Sequence, residues 1–97
     1  MGDRQKLTEL GKLIGTARYA LEGRDTQLQE ETKRRMLSFT KTLADKYRGA
    51  ELIKATFNPD ARGTRLAELY LSRAFKLVDE EYADIPGIER SIREIQE

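Results

Sequence analysis

An all-α fold is what this sequence predicts: an antiparallel four-helix bundle, with a short extra helical turn between the second and third helices, in a single domain over residues 1–97. Three observations lead there. Apolar residues recur every three or four positions in four separate stretches, the period of one helix face. Helix-breaking signals stand between those stretches, at Gly23, Gly49, Asn58-Pro59 and Pro86-Gly87. No run of strict alternation is long enough to build a sheet.

In the first stretch Leu7, Leu10, Ile14, Ala17 and Leu21 make one stripe, which Asp3 can cap and Gly23 can end. Gly11 and Gly15 lie inside it, each costing about 1 kcal/mol relative to alanine. Their spacing of four points to close approach of a neighbouring helix.

The second helix starts at Thr26-Gln27-Leu28-Gln29, which has the form of a capping box. Leu28, Met36, Phe39, Leu43 and Tyr47 continue one face as far as Gly49. The expected helix is about 22 residues and roughly 33 Å long. Residues 50–63 are ambiguous: Leu52, Ile53 and Phe57 suit one or two helical turns or a short extended piece, before Asn58-Pro59-Asp60 turns the chain.

Thr64 can cap a third helix whose apolar positions, from Leu66 to Val78, occupy much of the circumference, which predicts the most buried element. Pro86 then suits the first turn of a last helix. Ile85, Ile88, Ile92 and Ile95 repeat along it as a seam that needs a partner surface. Packing on the first and third helices of the same chain is the simpler answer, and a homodimer is the other.

Composition excludes much chemistry. With 18 basic and 17 acidic residues the formal net charge is +1, so no global field draws the chain to nucleic acid or acidic lipid. Cysteine and histidine are absent. Disulfides, thiol catalysis, histidine-based triads and imidazole-ligated zinc are therefore unavailable to it. No stretch has membrane-spanning length and no apolar signal core opens the chain, so the expectation is a cytoplasmic protein without cofactor or metal.

Three clusters carry local charge. Residues 26–49 hold six cations against three acids, with Arg34, Lys41 and Arg48 at intervals of seven, a stripe able to follow phosphates or an acidic partner. Glu30 four before Arg34, Glu31 four before Arg35 and Lys41 four before Asp45 favour a solvated, ion-paired face instead. Arg62, Thr64 and Arg65 surround a helix start where Gly63 would admit an anion, although the spaced glycines and lysine of a phosphate loop are missing. Asp79, Glu80, Glu81 and Asp84 form an acidic corner, in which only Glu80 and Asp84 are spaced to share an ion. Tyr19, Tyr47, Tyr70 and Tyr82 suit the core edge with wet hydroxyls.

By exclusion, a small non-enzymatic helical protein-binding module is expected, an adaptor, inhibitor, immunity-type or assembly factor; the alternative is a nucleic-acid- or nucleotide-associated protein using the basic stripe. In length and helix order the chain resembles small bacteriocin immunity proteins, with "IPGIERSIREIQE" similar to their last helix, while its arginine content and "NPDARG" turn depart from that pattern. "KYRG" and "IPG" resemble segments of the helical assembly factor of photosystem II. Either resemblance implies a helical protein that acts by docking to another protein.

Overall fold

The computed structural model describes residues 1–96, which form five α-helices and two 3₁₀ turns and no strand: α1 (Asp3–Glu22), α2 (Thr26–Thr40), α3 (Gly49–Thr56), α4 (Arg62–Val78) and α5 (Ile85–Gln96). The 3₁₀ turns are Asp45–Tyr47 and Tyr82–Asp84. Glu97, counted above with the C-terminal helix, lies outside the described residues. No described helix is long and apolar enough to cross a membrane.

The predicted stripe of α1 is buried at Leu7, Leu10, Ile14 and Ala17, with Ala20 in addition, and Leu21 is half-buried. Gly2 rather than Asp3 occupies the cap position, and no side chain caps this helix. Gly11 does permit close approach, since a methyl there would stand 3.2 Å from Leu71 Cδ2 of α4, but Gly15 faces open space.

The end of α1 departs from the glycine rule. The Arg24 amide donates to Leu21 O at 3.2 Å and the Asp25 amide to Ala20 O at 2.9 Å, with Arg24 at φ 53° in the left-handed position usually given to glycine. Asp25 then caps α2 in place of Thr26, accepting from the Leu28 amide at 3.0 Å. The Gln29 side chain does not close a capping box; its amide donates back to Ala20 O at 3.2 Å. Glu80, at φ 58°, plays the part of Arg24 after α4, where the Glu81 amide donates to Lys76 O at 2.8 Å.

The second helix is shorter than expected. It stops at Thr40, and the chain reaches Gly49 through a turn, a 3₁₀ element and a left-handed Arg48 at φ 55°. Hydroxyls compete with the helix here: Ser38 donates to Arg35 O at 2.6 Å, Thr40 to Leu37 O at 3.4 Å and Thr42 to Phe39 O at 3.0 Å. Gly49 opens α3 instead of ending α2. Its lack of a side chain lets the chain return against Thr40, whose Cβ would be 2.8 Å from a Gly49 methyl. Leu43 and Tyr47 still reach the core, carried by the turn rather than by a helix face.

α4 is the central element, packed against α1, α3 and α5, and it buries Leu66, Ala67, Leu69, Tyr70 and Ala74. A fully buried leucine of this kind contributes about 1.5–3 kcal/mol. α5 rests on α4 and the 3₁₀ turn before it, burying Ile85 and Ile92 and half-burying Ile88 and Ile95. Its expected packing on the first helix is replaced by this one-sided seat, because α1 gives its apolar stripe to α2 and α4.

Candidate functional site

The turn between α3 and α4 is organised by a residue from far upstream. Arg18 of α1 sends Nη1 to the carbonyls of Thr56, at 2.9 Å, and Asn58, and Nη2 to Asp60 O at 3.3 Å. The carbonyls at the end of α3 have no amide ahead of them within the helix, so the guanidinium supplies the missing donors. Asn58 Oδ1 accepts from the Asp60 amide at 3.0 Å, and Asp60 Oδ1 accepts from the Arg62 amide at 2.9 Å. Asp60 also takes the Arg62 side chain at 2.9 Å, and this hydrogen bond, with the one from the backbone, holds the Asp60 carboxyl below its ordinary range.

Gly63 is buried against this turn. A methyl there would lie 2.6 Å from Asn58 O, 2.8 Å from Ala55 O and 2.8 Å from Arg18 Nη1. The space expected to admit an anion at Gly63 is therefore filled by backbone carbonyls. Those oxygens would repel one. Thr64 is half-buried and Arg65 exposed on the same first turn of α4.

What the turn does shape is a groove of about 610 Å³ between α3, the start of α4 and the end of α5. That volume lies within the range of small-ligand pockets, about 300–1,000 Å³. Its apolar lining is Phe57 and Ile95, with the buried Tyr70 ring beneath Arg48; its cations are Arg48, Lys54 and Arg62, and among the described residues Glu51 is its one carboxylate. Arg48 lies over the Tyr70 ring at 5.4 Å from its centroid, and its Nε is 3.9 Å from Glu51 Oε1. Gln96 donates to the Tyr70 hydroxyl at 3.3 Å. Lys33 reaches over Phe57 from α2, 5.7 Å from the ring centroid. Among the described residues Lys54, which is exposed, has no carboxylate within 4 Å.

The cations of the expected basic stripe do not share one helix. Arg34 is exposed on α2, Lys41 follows the helix end, and Arg48 sits at the left-handed junction before α3. Lys41 and Arg48 border a second depression of about 500 Å³, while Arg48 and Arg62 meet in the larger groove. Glu31 accepts from Gln27 at 3.1 Å rather than pairing with Arg35. In the acidic corner, Arg4 takes Asp79 at 3.1 Å, and Lys76 takes Glu81 at 2.8 Å and Asp84 at 3.0 Å. Those two hydrogen bonds, that of Glu81 first, raise the Lys76 ammonium above its ordinary value. Among the described residues no three acidic side chains gather within reach of one metal ion.

Two of the four tyrosines, Tyr47 and Tyr70, are buried, whereas Tyr19 and Tyr82 are exposed. Burial, reinforced by the Asp3 carboxylate, pushes the Tyr47 phenol above its ordinary value of 10.0. The sequence marks Phe57 and Tyr70 only as apolar or core-edge positions and gives Arg18 and Lys54 no signal. Arg18 looks like any polar neighbour of Ala17, and Lys54, Phe57 and Tyr70 come together only through tertiary packing. Comparison of the chain with models of known protein families, with curated proteins and with solved structures gave no match.

Proposed function

We propose that the chain is a non-enzymatic protein-binding module, and that it receives its partner in the groove between α3, α4 and α5. The observation that carries this reading is the groove's composition, apolar side chains set among cations, beside a turn that Arg18 and Asp60 pin on both sides. A partly apolar recess with a few polar groups suits recognition. Acid–base or nucleophilic work is less well served, because the sequence has no histidine or cysteine and among the described residues Glu51 has no second carboxylate beside it in the groove. We read the four longer helices as an antiparallel bundle in which α3 takes the place of the expected extra turn. Burial of Ile85 and Ile92 within the chain supports a partner seated in the groove over a dimer built on α5.

Nucleic acid is the less favoured partner. Base stacking needs open aromatic faces. Tyr70 is 3% exposed and lies under Arg48, and Lys33 stands over Phe57.

Photo-crosslinking in cells that produce the protein tests the reading, with benzoylphenylalanine placed at Phe57 in one variant and at Lys12 of α1 in another. One discrete protein adduct from position 57 and none from position 12 is expected. Adducts with nucleic acid, or equal labelling from both positions, would refute it.

A further inference from the structure

The proposed docking groove has a sign. Among the described residues its charged lining is three cations and one carboxylate, and a fourth cation, Lys33, stands over its Phe57 wall. The chain as a whole is almost neutral, so this excess is local. Arg62 is already engaged by Asp60 and Arg48 is near Glu51, but Lys54 is exposed with no carboxylate partner among the described residues. Lys54 also lies in the last turn of α3, at the negative end of that helix.

From this we infer that the groove takes an acidic peptide segment: carboxylates set against Lys54, Arg48 and Arg62, around an apolar side chain that enters between Phe57 and Ile95. The inference rests on the docking reading above and adds the chemistry of the partner. A cationic rim repels basic segments as well as attracting acidic ones, and it acts mainly on association rate and partner choice. A neutral apolar segment would cover Phe57 and Ile95 but offer Lys54 no carboxylate. An acidic segment answers both surfaces at once.

The test is a selection from a random twelve-residue peptide library displayed on phage, with the full chain immobilised at physiological salt. Amide chemical shifts of the full chain are then followed on titration with the enriched peptides. A single-stranded random oligonucleotide is titrated alongside. Enriched peptides should carry at least two more acidic than basic residues and should shift the amides of Lys54, Phe57 and Arg62. Their Kd should rise roughly fivefold or more for Lys54→Glu and remain unchanged for Lys12→Glu, which lies outside the groove.

Enriched peptides that are neutral or basic, yet shift the same amides, would overturn the acidic inference and leave the docking groove standing. Shifts elsewhere, or no enrichment at all, would overturn the docking groove itself. Tighter binding of the oligonucleotide than of any peptide, at the same salt and the same amides, would assign the cations to phosphate.

Discussion

Replacing Gly63 by alanine should destabilise the protein, although helix propensity alone predicts the opposite. At an open helical position the change from glycine to alanine is favourable by about 1 kcal/mol. At Gly63 the new methyl would meet Asn58 O at 2.6 Å, Ala55 O at 2.8 Å and Arg18 Nη1 at 2.8 Å. Two of these atoms are backbone, and the third is held by its bonds to Thr56 and Asn58. Relief therefore requires α4 to move away from the 57–61 turn, loosening the guanidinium contacts. Overpacking of a tight site costs about 1–3 kcal/mol, and a hydrogen bond to a charged group contributes about 1.5–3 kcal/mol. After the propensity gain the net loss should be about 2–3 kcal/mol, or roughly 10–20 °C in melting temperature for a domain of this size.

Gly15→Ala is the matched control, since nothing lies within 4 Å of its added methyl. It should raise stability by about 1 kcal/mol. Thermal and urea denaturation followed by circular dichroism at the helix band measures both variants. A Gly63→Ala protein as stable as the parent would refute the close packing of α4 on the turn, and with it the shape of the groove.

Other perturbations probe separate parts of the structure. Arg18→Met keeps the aliphatic stem but leaves the carbonyls of Thr56 and Asn58 without their donor, so it should cost about 1–3 kcal/mol and speed hydrogen exchange of the amides around residues 57–61. Ile92, 3% exposed, should lose about 2–4 kcal/mol on replacement by alanine, whereas the exposed Leu37 should lose far less, as chemical denaturation would report. Tyr47 has its phenol pKa raised on folding, so its contribution to stability is complete below the unfolded value and is lost as pH climbs through the folded one. Melting temperature should thus fall above about pH 10, and Tyr47→Phe should flatten that fall relative to the parent.

The helices that pack on a single continuous stripe were legible in the sequence. Leu7, Leu10, Ile14 and Ala17 are buried as their spacing predicts, α4 is the central rod, and Ile88, Ile92 and Ile95 of α5 join or pack against the core. The long second helix was not. Phe39, Leu43 and Tyr47 continue the four-residue interval across a break, because a turn can deliver the same side chains to the core as a helix does. Threonines at 40 and 42 satisfied their own helix end, and no propensity scale weighs that competition against tertiary packing. The left-handed conformations of Arg24 and Glu80, just beyond the ends of α1 and α4, were not legible, because that backbone is expected of glycine. The groove was out of reach for a simpler reason. Arg48, Lys54, Arg62 and Ile95 are spread along half the chain, and only the packing of α3 and α5 against α4 brings them to one place.

Charge exchange across the groove is the most direct measurement of the functional account. An acidic peptide recovered by selection and its counterpart with lysine at every acidic position would be titrated by calorimetry into the parent chain and into Lys54→Glu. The parent should bind the acidic peptide more tightly, and the variant should lose that preference while gaining affinity for the lysine form. An identical preference in both proteins would contradict a partner held by the cations of the groove.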